Sequence, residues 1–138
     1  MRENWHNLCK FKHAMKQDTP CWNQAQGRLG ESLAKKFLER QGFNVIAERY
    51  RSPFGEIDLV AKRGQVLLFV EVKARHGDHF GDALESVTPL KLRHFRKAVL
   101  HFLMENPEYQ QDYFWELAAA AVRHHGTKTE IELVKILS

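Results

Sequence analysis

The chain has 138 residues, 43% hydrophobic and 28% charged, the balance of one globular domain able to bury a core. Twenty-one Lys and Arg against 17 Asp and Glu give a net charge of +4 and a pI near 9.2, which favours polyanionic partners without selecting one. No apolar run approaches the ~20 residues that cross a bilayer, so no membrane role is expected. Residues 1–16 lack the apolar stretch of a secretory signal, and Cys9 and Cys21 are too few for a disulfide framework, which together suggest a reducing, cytoplasmic setting.

Residues 1–24 mix Trp, His, Lys and Asn without helical or strand period and include Pro20. They read as an extension, in part disordered, ahead of a single domain over 25–138. A helix is predicted over about 27–41, with Leu29, Leu33, Ala34, Phe37 and Leu38 on one stripe and Gly42 as its stop. Glu31 falls on the border of that stripe, neither in the core nor on the solvated face.

Three strands are predicted next, over about 44–51, 56–62 and 65–74. The third contains Val66-Leu67-Leu68-Phe69-Val70, apolar on both faces, the mark of a central strand. Arg63-Gly64 is a short turn, making the second and third strands an antiparallel hairpin. A second helix begins with Thr88 as N-cap and Pro89 in its first turn, buries Leu92, Phe95, Val99, Phe102 and Leu103, and ends at Asn106-Pro107. Two last strands are expected over about 113–123 and 129–136, although the alanine-rich stretch 117–121 suits a helix equally well. The order α-β-β-β-α-β-β gives an α/β domain whose mixed sheet is flanked by helices.

The hairpin carries the chemical signal. Alternation puts Glu56 and Asp58 on one face of their strand, and Glu71, Lys73 and Arg75 on one face of the next. With Arg63-Gly64 as a two-residue turn, Asp58 would face Phe69 and Glu56 would face Glu71. Asp58 and Glu71 would then be diagonal neighbours at roughly 7–8 Å. Carboxylates gathered beside an apolar strand repel one another and lose hydration, which a hard divalent cation relieves. A lysine two residues from a ligand could contact water or a phosphate oxygen, completing a site for metal-assisted phosphodiester hydrolysis. The bland alternative is a solvated sheet face on which Glu56 and Asp58 pair with Lys73 and Arg75.

Gly55-Glu56-Ile57-Asp58-Leu59-Val60 and Phe69-Val70-Glu71-Val72-Lys73-Ala74-Arg75 resemble the bacterial YraN-like family. That family is similar to the PD-(D/E)XK, restriction-endonuclease-like nucleases and to archaeal Holliday-junction resolvases. Gly30-Glu31 with Ala34, and the stretch from Phe80-Gly81 through Thr88 to Lys91, match as well. The resemblance implies Mg²⁺ or Mn²⁺ held by Asp58, Glu71 and the Val72 carbonyl. Lys73 would orient the attacking water and stabilise developing charge, and Glu31 would approach from the helix. Glu56 is the family's own addition, supporting those ligands or serving a second metal. One departure stands out: where the family often has Arg-Phe-Asp, this chain has Phe114-Trp115-Glu116.

The second helix offers Lys91, Arg93, Arg96 and Lys97, with His94 and His101 between them and no acid from Thr88 to Met104. With Arg75 this basic face suits phosphate contacts, which position a nucleic acid without reading its sequence, or it serves solubility alone. DNA, branched or damaged, is expected ahead of RNA, and a homodimer would suit a resolvase-like role. The rival readings are a non-catalytic nucleic-acid-binding module and an assembly factor whose acidic patch docks a protein. His6, Cys9, His13 and Cys21 match no common zinc spacing. His76 and His79 read as loop residues, and Trp115 reads as a core aromatic rather than a base-stacking one.

Overall fold

The computed structural model describes residues 12–16, 24–76, 87–125 and 127–136, with the backbone alone at 12–16, 24–27, 75–76 and 125. The elements are β1 (Lys12–Lys16), α1 (Gln24–Arg40), β2 (Asn44–Ser52), β3 (Gly55–Arg63), β4 (Val66–His76), α2 (Pro89–Glu105), a 3-10 turn (Pro107–Tyr109), β5 (Phe114–His125) and β6 (Lys128–Lys135). From α1 onward this is the expected α-β-β-β-α-β-β order.

Both helices form where the apolar period asks for them. Leu33, Ala34, Phe37 and Leu38 of α1 are buried on one face of the sheet, each large side chain worth roughly 1.5–3 kcal/mol relative to exposure. The helix closes on Gly42, whose φ is 88. The Phe43 N–H reaches the Leu38 carbonyl and the Gly42 N–H the Glu39 carbonyl, both at 3.0 Å, a pairing that glycine's left-handed freedom permits. In α2, the Thr88 hydroxyl accepts from the Lys91 N–H at 3.2 Å and Pro89 opens the helix. Its buried residues Phe95, Ala98, Val99, Phe102 and Leu103 cover the opposite face of the sheet.

Five strands make one mixed sheet in the order β6-β5-β4-β3-β2, and β1 extends it at the β6 edge. Neighbours are antiparallel except β4 and β5, which run parallel on either side of the crossover that contains α2. β4 is central: Val66 to Val70 are all at most 8% exposed. The β1 pairing, Lys12↔Glu132 to Lys16↔Lys128, finds a strand in a stretch without strand period.

Two expectations change, and one open alternative closes in favour of the expected strand. The hairpin turn is Gly64-Gln65, because Arg63 pairs with Val66 and Lys62 with Leu67; Gly64, at φ 57, takes its first position. Asp58 is therefore not opposite Phe69, nor Glu56 opposite Glu71. The alanine-rich stretch is strand, with Ala118 to Ala121 buried between β4 and β6, so pairing on both sides overrides alanine's helix preference. Trp115 is 45% exposed, not a core residue, and stands outside the α2 cluster that takes in Tyr113 and Leu117 on either side of it.

Candidate metal centre

The β3–β4 ladder runs from Arg63↔Val66 to Leu59↔Val70 and stops there. At the next position the Asp58 carboxylate substitutes for a strand partner, its Oδ2 accepting the Val72 N–H at 2.7 Å. A strand residue's N–H and C=O project to the same side, so the Val72 carbonyl faces this seam too.

The chain kinks at the same point. Ile57 packs in the α2 layer and Leu59 in the α1 layer, although residues two apart on a regular strand share a face. On β2 the pairs Glu48↔Leu59 and Tyr50↔Ile57 bracket Arg49, whose φ is 48. Ala47 and Tyr50 both pack toward α2. The alternation of both strands thus breaks at Arg49 and Asp58.

Glu31, Glu56 and Asp58 each bring a carboxylate oxygen to this break, all within 4.8 Å of one another. Gly30 makes the approach of α1 possible. A Cβ there would lie 3.2 Å from the Ala74 Cβ and 3.7 Å from a Val72 methyl, so a bare glycine lets the helix lie against β4 with Glu31 at the seam. Arg49 Nε donates to Glu31 Oε2 at 2.8 Å, and Arg51 Nε lies 3.6 Å from Glu56 Oε2. Burial pushes the Asp58 carboxyl up to about 6, against the Val72 N–H, with repulsion from Glu31, Glu71 and Glu56 adding to it.

Glu71 and Lys73 stand apart from this cluster. β4 pairs with β5 without a break from Val66 to His76, and Val72 and Ala74 face α1. Alternation therefore turns Glu71 and Lys73 to the other face, where Lys73 Nζ sits 2.9 Å from Glu71 Oε1. The expectation that Glu56, Asp58, Glu71 and Lys73 share one face is not met, and the break at Asp58 is the reason. Glu71 still reaches Asp58 through its charge.

The donor set suits a hard cation. All three cluster groups are carboxylates, and ligand oxygens around one Mg²⁺ lie up to about 4 Å apart. The 4.8 Å spread needs little contraction to meet that.

On α2, Lys91, Arg93, Arg96 and Lys97 are exposed. Lys97 Nζ lies 5.5 Å above the Phe54 ring, which brings this basic surface to the β2–β3 turn, two residues before Glu56. His101 belongs to the packing, its Nδ1 sharing a 2.7 Å hydrogen bond with the Tyr50 hydroxyl. The Arg75 side chain, the loop with His79, and the side chains of Trp5, His6, Cys9, His13, Cys21 and Trp22 lie outside the described residues. Arg49 is the residue that sequence reasoning missed. In an extended segment one arginine looks like any solvated cation, and no pattern marks a positive φ.

Fold and seam together define a mixed α/β protein with an acidic cluster where two strands part. The profile of the uncharacterised protein family UPF0102 matches residues 30–134, and the chain belongs to that family. This is the YraN-like group that the hairpin motifs resemble. A UPF0102 protein of Chloroherpeton thalassium is 38% identical over 97 residues, 70% of this chain and 75% of that protein. One from Neisseria gonorrhoeae is 42% identical over 84 residues, 61% and 73% of the two chains. Another, from Acinetobacter baumannii, is 42% identical over 90 residues, 65% and 68% of the two. The family match takes in every carboxylate of the seam.

Proposed function

We propose that this protein is a metal-dependent nuclease of restriction-endonuclease-like fold that hydrolyses DNA phosphodiesters, on branched or damaged DNA rather than at a fixed sequence. The observation that carries the reading is the Glu31–Glu56–Asp58 cluster, built around an aspartate whose burial and neighbours disfavour its charge unless a cation is present. The α-β-β-β-α-β-β order and the Glu-x-Lys of β4 support the fold.

Bound Mg²⁺ or Mn²⁺ would supply positive charge to the phosphoryl oxygens and lower the pKa of water. Asp58, with Glu31 and Glu56, would hold it, and Glu71 and the Val72 carbonyl border the same seam. Lys73, its ammonium aimed by Glu71, would donate from Nζ to the attacking water or to a phosphoryl oxygen. Lys91, Arg93, Arg96 and Lys97 would hold the flanking backbone phosphates, an interaction that does not depend on sequence.

One observation favours a second reading, a DNA-binding module without catalysis. Lys73 pairs with Glu71 on the face away from the cluster, so catalysis requires the two groups to meet across the β3–β4 seam. Cleavage of four-way-junction, single-stranded and duplex DNA in Mg²⁺ separates the two. The nuclease reading expects cutting that falls at least about 100-fold in Asp58→Asn and in Lys73→Ala, with binding kept. Tight binding without cutting by the wild type would favour the second reading.

A further inference from the structure

Among the described residues, Arg49 is the cation hydrogen-bonded to the candidate ligand Glu31, at 2.8 Å through Nε. That bond uses one of the five N–H donors of a guanidinium, whose planar fork also matches two oxygens of a phosphate. Glu56 and Asp58 add to the field at Arg49. Its backbone is unusual for so large a residue. A φ of 48 costs about 1 kcal/mol or more outside glycine, and such outliers persist where the surrounding structure holds them. Regular alternation from Ala47, which packs toward α2, would turn Arg49 away from α1. The break instead carries its guanidinium to Glu31 on the α1 side and leaves Tyr50 under α2.

We propose that Arg49 is a substrate-phosphate ligand of this site, parked on Glu31 until a divalent cation takes that carboxylate. The inference rests on the nuclease reading and adds to it a residue and an order of events. Without metal, Arg49 is the tethered counter-ion of the cluster and competes with the ion for Glu31. Once Glu31 is engaged by metal, the guanidinium turns its fork to the non-bridging oxygens of a phosphodiester lying over the seam. Metal-binding strength in the free protein is thereby traded for phosphate affinity that exists only in the metal-loaded protein.

Two measurements on the full chain test this, with Arg49→Asn as the main variant. Asparagine accepts a left-handed backbone and removes the charge; Arg49→Gln serves the same purpose should asparagine unsettle the kink. By calorimetry, Mn²⁺ should bind the variant about three- to tenfold more tightly than the wild type. Junction DNA in Ca²⁺, measured by anisotropy at rising KCl, should bind the variant more weakly, with the slope of log K against log salt smaller by about one. In EDTA the two proteins should bind that DNA alike. Equal Mn²⁺ affinities, or equal salt slopes in Ca²⁺, would overturn the role of Arg49 and leave the nuclease reading standing. No Mn²⁺ binding by wild type or variant would instead remove the metal site itself, and this inference with it.

Discussion

The Val72 amide and Asp58 Oδ2 meet at 2.7 Å where the β3–β4 ladder ends, so a carboxylate stands in for a strand. The amide favours ionised Asp58, while burial and three neighbouring carboxylates oppose it. The opposition wins, and the group titrates at about 6. Backbone order and charge are therefore coupled at one residue, which shapes what variants and pH should do.

Asp58 sits at about 6 in the fold, against about 3.9 for an unfolded aspartate. Between those values the folded state binds more protons than the unfolded one, so the contribution to stability is lost as pH rises from about 4 through 6. Asp58→Asn keeps an oxygen for the Val72 N–H and removes the charge. In urea at pH 7.5 without divalent metal it should be more stable by about 1–3 kcal/mol, with the difference vanishing near pH 4. A variant less stable at pH 7.5 would contradict the assignment of the shift.

Divalent metal should act in the opposite sense. At pH 7.5, Mn²⁺ at a hundredfold excess over its Kd should stabilise the wild type by about 2.7 kcal/mol, and EDTA should reverse it. The gain should fade as pH falls through 6, because the proton and the cation compete for Asp58. Thermal melts across pH, with and without metal, read this directly, and a gain as large at pH 5 would count against Asp58 as the ligand.

Gly30→Val should damage both fold and site. The added side chain meets the Ala74 Cβ, already 3.2 Å from an ideal Cβ, and must push α1 off β4. We expect a loss of about 1–3 kcal/mol in stability, together with weaker Mn²⁺ binding as Glu31 leaves the seam. Normal metal affinity in a folded Gly30→Val protein would show that α1 does not set the position of Glu31.

Changing Lys91, Arg93, Arg96 and Lys97 together to Gln removes the exposed Lys and Arg charges of α2 while sparing its buried face. The slope of log K for DNA against log salt should fall by about 0.9 for each phosphate that α2 no longer neutralises, with Mn²⁺ affinity unchanged. An unchanged slope would assign that face to solubility.

Much of the fold could be read from the residues because the signals were local. Apolar stripes marked α1 and α2, Thr88-Pro89 and Gly42 marked their ends, and Val66 to Val70 marked the central strand. The register could not be read, since it turned on whether Gly64 is the first or second turn residue. An error of two residues leaves the alternation within each strand unchanged. What alternation concealed was the kink. Glu31, Glu56 and Asp58 gather because Arg49 and Asp58 break their strands, which sends Ile57 and Leu59 to opposite layers and leaves Glu71 and Lys73 on the far face. A kink of that kind depends on packing between α1, β2 and β4, which no short window of sequence contains.

The most direct measurement is calorimetric titration of Mn²⁺ into the wild type and Asp58→Asn at pH 7.5, with both proteins shown to be folded. The wild type should bind saturably and the variant not at all, although that variant should be the more stable of the two. Equal binding by both would mean that the ion sits elsewhere and that the Glu31–Glu56–Asp58 cluster is not a metal centre.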